Sequence, residues 1–105
     1  MKKIDLASRI DVTSRLKKEQ ARKVLSEIFN TDANLVSYSK HGRKQMKERD
    51  LTTVDVVNIL KVGKILGEPE EVHGTWRYRV ETPKITVVIA FRKPNHVVVV
   101  TAWRN

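Results

Sequence analysis

The sequence predicts an α+β fold, with N-terminal helices packed on an antiparallel sheet of three to four strands. Two observations carry this. Apolar residues in the first half recur at helical spacing, as in Ala21, Val24, Leu25 and Ile28. The last third holds two runs, "KITVVIAFR" and "HVVVVTAWR", apolar at nearly every position and joined only by "KPN". Helices first and strands afterwards, each set contiguous, is the α+β pattern.

The first helix carries that apolar stripe, with Lys17, Lys18, Arg22 and Lys23 mostly off it. Thr13 or Ser14 is its expected cap, and "NTDAN" at 30–34 is its expected stop. A second, short helix is expected over 40–49, capped by Ser39 and ended by Asp50. A third follows in "LTTVDVVNILKVGK". Thr52 caps it, Asp55 completes a capping box, and Gly63 closes it. Val56, Val57, Ile59 and Leu60 are its expected inward residues. "GEPEEVHG" reads as a polar connection or a frayed edge strand, because Pro69 cannot donate to a ladder. "TWRYRVET" alternates, with Trp76, Tyr78 and Val80 on one side and Arg77, Arg79 and Glu81 on the other. The short "KPN" link makes 84–92 and 96–104 an antiparallel hairpin.

With 105 residues, the length suits one domain, 1–105. There is no cysteine, which excludes disulfides, zinc–thiolate sites and cysteine nucleophiles. The N-terminal residues contain no long apolar run, so no signal peptide is expected, and no segment reaches the ~18 apolar residues of a membrane span. A cytoplasmic location without membrane association is the expectation.

Charge is the strongest bulk signal: 21 Lys plus Arg against 12 acidic residues, a net +9. Such a domain favours an anionic partner through long-range attraction and counterion release. No Gly-rich phosphate loop, HExxH, GxSxG or EF-hand pattern is present. His41, His73 and His96 lack metal-ligand spacing, and the acidic residues are scattered, so neither a metal nor another cofactor is expected. Chemistry would then run on basic and hydroxyl side chains. RNA suits that repertoire, because it brings its own nucleophile, the 2′-hydroxyl. Arg and Lys can stabilise the dianionic phosphorane, and His, Tyr or Lys can move the protons.

Two places carry the required groups. In "KHGRKQMKERDL", His41, Gln45 and Arg49 fall in one row of a helix, with Lys40, Lys44 and Lys47 in a neighbouring row. The bland alternative is a solvated helix with Met46 turned to the core. In "WRYRV", Arg77 and Arg79 project from one sheet face about 7 Å apart, a spacing that suits a phosphate. Glu81 could instead pair with Arg79. Arg92 and Arg104, at the ends of the hairpin strands, could extend the basic surface. Trp103 could stack a base or sit at the core edge.

The ordered set "HGRKQMKERDL", "TTVDVVNILKVGK", "WRYRV", "KITVVIAF" and "VVVVTAW" resembles the DUF4258 family. That family is grouped with the RelE-like, colicin E5-like and MqsR-like ribonuclease toxins. The family pattern is His-Ala-x-x-Arg-Met-x-x-Arg, later Arg-Tyr-x-Val, and a strand ending Val-Thr. His41, Met46, Arg49, Arg77, Tyr78, Val80 and Thr101 match it; Gly42 and Gln45 depart from it. The resemblance divides the chain into an N-terminal helical extension, 1–38, and a toxin-like core, 39–105. It implies a metal-independent endoribonuclease toxin of a type II toxin–antitoxin system. The implied catalytic residues are His41, Arg77, Arg79 and Tyr78. The implied RNA contacts are Arg43, Lys44, Lys47, Arg49, Arg92, Thr101 and Arg104. The implied partners are mRNA, free or on the ribosome, and an antitoxin with an acidic segment. A nucleic-acid-binding module without catalysis is the rival reading. A structural domain that dimerises through 1–38 is another.

Overall fold

A computed structural model of the protein describes residues 11–30 and 35–105. Among them the chain forms α1 (Lys18–Phe29), β1 (Leu35–Tyr38), α2 (Lys40–Glu48), α3 (Thr53–Val62), β2 (Glu70–Val72), β3 (Thr75–Glu81), β4 (Ile85–Lys93) and β5 (His96–Arg104). The α+β class is as expected. The sheet, however, has five strands in the order β1-β5-β4-β3-β2, not three to four. It is also mixed, because β1 runs parallel to β5 while the other pairs are antiparallel.

The start of α1 corrects the expected cap. Thr13 and Ser14 are spent on a turn around Asp11, whose Oδ1 accepts from the Thr13 backbone and hydroxyl at 3.0 and 2.6 Å. The Ser14 hydroxyl donates to the Asp11 carbonyl. The helix begins after Lys17, whose N–H donates to Gln20 Oε1 at 3.0 Å. Ala21, Val24, Leu25 and Ile28 are its buried stripe. Arg22, on the flank, donates to the Leu60, Lys61 and Gly63 carbonyls and so satisfies the C-terminal end of α3. Asn30 follows the helix as expected. The rest of the predicted turn, 31–34, and residues 1–10 of the predicted extension lie outside the described residues.

The helical reading of 1–38 fails at β1, which adds a strand beside β5. The capping expectations for α2 and α3 hold. Ser39 Oγ accepts from the Gly42 N–H at 2.9 Å, and Asp50, with φ 54°, turns the chain out of α2. Thr52 and Asp55 form the reciprocal box, at 3.1 and 2.9 Å. Gly63 closes α3 for a different reason from the one expected. Its φ is −69°, so no left-handed conformation is needed. A Cβ there would lie 2.7 Å from both the Ile59 carbonyl and Val80 Cγ1. His73 (φ 51°) and Gly74 (φ 79°) make the two-residue turn between β2 and β3, with the positive φ angles that such hairpins need.

One sheet face packs on the helices. Tyr78, Val80, Val87, Ile89, Phe91, Val97, Val99 and Ala102 form a single buried cluster with the apolar residues of α1, α2 and α3. In β5 that side-chain pattern changes step. Val88 pairs with Thr101 while Ile89 pairs with Val99, so Val100 is an extra residue, a β-bulge. Unbroken alternation would set residues 101 and 103 beside 97 and 99. The bulge instead sends Ala102 to the helices and turns Thr101 and Trp103 to the opposite face.

Helix α2 docks on the same stretch of β5. The Ser39 N–H donates to the Val99 carbonyl at 2.9 Å and the Ser39 hydroxyl to the Val100 carbonyl at 2.9 Å. A Cβ on Gly42 would approach those carbonyls to 2.7 and 3.1 Å. The glycine that departs from the family pattern is therefore required by close backbone approach. Gly42→Ala should destabilise the protein by up to about 2 kcal/mol, because the overpacking cost of about 1–3 kcal/mol is offset by a helix-propensity gain of only about 1. Urea unfolding measures this, and a stabilised variant would refute the contact.

Candidate functional site

The face opposite the helices gathers the residues of interest. Arg79, Val88 and Thr101 lie in register across β3, β4 and β5, and Glu81, Thr86 and Trp103 form the next row. Arg77 shares the face with Arg79, and Glu70 of β2 stands opposite it in register. Val88 and Thr86 are the buried floor between the longer side chains. A cavity of about 480 Å³ opens here, and Arg77, Arg79, Thr101, Trp103, Glu70 and Glu81 line it.

Its electrostatics are unusual for a surface with this many acids nearby. The two ion pairs formed among the described residues both go to Glu68, from Arg15 at 2.8 Å and Lys18 at 3.5 Å. Among the described residues neither Arg77 nor Arg79 has an acidic partner within 4.0 Å, so the expected alternative, Glu81 pairing with Arg79, is not realised. Arg79 stacks on the Trp103 ring, with its guanidinium carbon 5.8 Å from the centroid. Arg77 Nε is buried and has no hydrogen-bond partner. A buried donor left unmade costs about 1–3 kcal/mol, so an acceptor brought to this atom by a ligand would be stabilised.

A second cavity, of about 470 Å³, adjoins the first and also uses Arg77 as a wall. Trp76, Ala90, Phe91, Arg92 and Val98 help to line it. Arg92 therefore joins the basic sheet surface, as expected.

Other expected site residues lie elsewhere. His41, Arg43, Lys44, Lys47 and Arg49 are exposed on α2 and line neither cavity. His41, Gln45 and Arg49 share one flank by helix geometry. Arg43 is on another flank, where its charge opposes the rise that burial imposes on the Tyr38 phenol. No hydrogen bond or ion pair among the described residues joins His41 to Arg77, Arg79 or Thr101. Arg104 is committed to structure. Its Nε donates to the Arg49 carbonyl at 3.2 Å and its NH2 group to the Asp50 carbonyl at 2.9 Å, capping the end of α2.

Tyr78 is a correction. It faces the helices, 1 % exposed, with its ring 5.5 Å from that of Phe91. Its hydroxyl accepts from the Leu16 N–H at 2.9 Å. Burial holds the phenol above its ordinary pKa. It anchors the segment before α1 and does not reach the arginines. The residue that the sequence reading passed over is Glu70, whose place opposite Arg77 depends on the register of β2 and β3. Trp103 is half-buried on the same face, at the edge of the sheet surface, with Arg79 over its ring.

Among the described residues no three His, Asp or Glu side chains gather as a metal site, and no helix is long and apolar enough to cross a membrane. Comparison with protein-family models matches residues 38–104 to a domain of unknown function, DUF4258. The chain belongs to that family. No curated protein and no solved structure matches it.

Tyr78→Phe should lower stability by about 1–2 kcal/mol, the loss of one hydrogen bond to a buried N–H. The raised phenol also predicts a pH effect. The unfolded chain gives up its proton near the ordinary value of about 10 and the folded chain does so higher, so stability falls as pH rises above that value. The Phe variant should lose part of that fall, read from urea unfolding at pH 9 and above.

Proposed function

We propose that this DUF4258 protein is a cytoplasmic, metal-independent endoribonuclease, a toxin of a type II toxin–antitoxin pair that cuts mRNA. The observation that carries the reading is the pair Arg77 and Arg79. They stand on one sheet face without acidic partners, one has an orphaned buried donor, and Thr101 and Trp103 border them. Two arginines so placed suit the charge of a phosphorane, which gains negative charge as the 2′-hydroxyl attacks. The indole offers a flat surface to a base. The resemblance to ribonuclease toxins and the net charge of +9 support the same reading.

Arg77 and Arg79 hold the scissile phosphate in this proposal, and Thr101 donates a further hydrogen bond. Glu81, in the same cavity, takes the 2′-hydroxyl proton. RNA that continues across β5 towards α2 meets Lys44, Lys47 and Arg49 as phosphate contacts, with His41 beside them, and the leaving 5′-oxygen takes its proton from water at the open cavity. The antitoxin covers this face with an acidic segment and so excludes RNA. The rival, a module that binds without cutting, draws support from His41 being unjoined to the arginines.

Incubation with mixed-sequence RNA in EDTA, with and without ribosomes, tests the proposal. Fragments ending in 2′,3′-cyclic phosphate are expected, and Arg77→Ala should slow their appearance about 100- to 1,000-fold. Binding without fragments under every condition would select the rival. Affinity for single-stranded RNA should also fall with salt, with a log–log slope of about −4 for phosphate contacts at Arg77, Arg79, Arg92, Lys44, Lys47 and Arg49. Arg79→Ala should flatten that slope by about 0.7.

A further inference from the structure

Two cavities of similar size, about 470 and 480 Å³, meet at one side chain, Arg77. Each is within the range of about 300–1,000 Å³ typical of small-molecule sites. Their linings differ. The first has no acidic residue, and sets Trp76, Phe91 and Val98 beside Thr13, Thr75 and Arg92. The second holds the Trp103 indole, the Thr101 hydroxyl and the Glu70 and Glu81 carboxylates. Between them stands a guanidinium whose Nε is buried and unpartnered.

A strand of RNA has a matching order: a flat base, an anion, then another flat base. Apolar and aromatic walls take the bases, and a fixed cation takes the phosphate between them. The carboxylates repel phosphate from their own part of the second cavity, so the phosphate stays at the arginines, and Glu70 accepts hydrogen bonds from the N–H edge of a base. The geometry points to a dinucleotide site, with one nucleoside in each cavity and the bridging phosphate on Arg77. This deepens the ribonuclease reading and rests on it. The second cavity is the selective one, because only there do carboxylates and an indole line the same space. The first discriminates weakly, by size and stacking alone.

The test is binding by the full chain of a 2′-O-methyl dinucleoside monophosphate, which lacks the nucleophile and stays intact. A nucleoside 3′-monophosphate is the comparison. The dinucleotide should bind at least tenfold more tightly, because the second nucleoside fills an already formed cavity. Two variants block the cavities one at a time. A Cβ on Gly67 meets nothing within 4 Å, so Gly67→Trp can project into the second cavity. Thr75 is exposed on the wall of the first, so Thr75→Trp can fill that one. Each variant should reduce dinucleotide affinity to the level of the mononucleotide, with its melting temperature preserved. If longer RNA binds but the dinucleotide gains nothing over the mononucleotide, the dinucleotide site is wrong and the ribonuclease reading stands. If no RNA binds at all, both fall.

Discussion

At Val99 and Val100 the backbone of β5 leaves the regular ladder, and Ser39 and Gly42 take up its carbonyls. Val99 accepts the Ser39 N–H, Val100 accepts the Ser39 hydroxyl, and the bare Cα of Gly42 lies against both. The extra residue at Val100 would otherwise leave an unpaired carbonyl at the end of the β1 pairing, which stops at Tyr38 opposite Val99. Helix α2 supplies the missing partner. It can do so only because position 42 has no side chain and because Ser39 both caps the helix and donates to the strand. The same bulge reverses the side-chain alternation of β5. Thr101 and Trp103 thus reach the face of Arg79, and Ala102, small enough to sit under the helices, goes to the core. One irregular residue therefore positions the basic helix and also completes the arginine cavity.

The positive charge of the chain divides into two populations. Arg22 and Arg104 each end a helix, turning their fixed forks onto two or three carbonyls that the helix leaves unmade. Arg22 is half-buried there, and desolvation lowers its pKa without making it neutral at any ordinary pH. Arg15 and Lys18 share Glu68, and Arg15 also lies 5.7 Å from the Trp76 ring, tying the segment before α1 to β3. What remains on the sheet face, Arg77, Arg79 and Arg92, has no such structural task. Net charge alone cannot separate these populations, since every arginine counts equally in it.

What could be read in the sequence was whatever depends on neighbours in the chain. The Thr52–Asp55 box, the Ser39 cap, the Asp50 stop and the "KPN" hairpin are local hydrogen bonds and turns, and each holds in the structure. The shared face of Arg77 and Arg79 follows from strand period alone. β1 could not be read, because "LVSY" has four residues, no clean alternation, and a partner sixty positions away. The cap of α1 was misread because Thr13 and Ser14 had a nearer acceptor, Asp11. Tyr78 looked chemical beside two arginines, but alternation alone places it on the other face, where Leu16 N–H claims its hydroxyl. Glu81 shares the arginine face by strand period, but Glu70 was invisible as a cavity residue until the register of β2 and β3 set it opposite Arg77.

Arg77 sits uneasily within its own fold. Its Nε is shielded from water yet has no acceptor, while the carboxylates of Glu70 and Glu81 line the same cavity without coming into ion-pair range. A folded chain tolerates about 1–3 kcal/mol of such unmet hydrogen bonding only against a gain elsewhere. Had either glutamate closed on the guanidinium, the cavity would hold a neutral, self-satisfied pair and would offer little to an anion. Held apart, the arginines keep their charge for a ligand, and the glutamates keep their lone pairs for a proton or a base edge. In the proposed reading, a phosphate that accepted from Nε would supply the missing bond and add charge-assisted contacts at the same time, so the unmet donor in the free protein would become part of the affinity. Separation of unlike charges across one cavity thus carries the proposed reading more than the number of basic residues the chain contains.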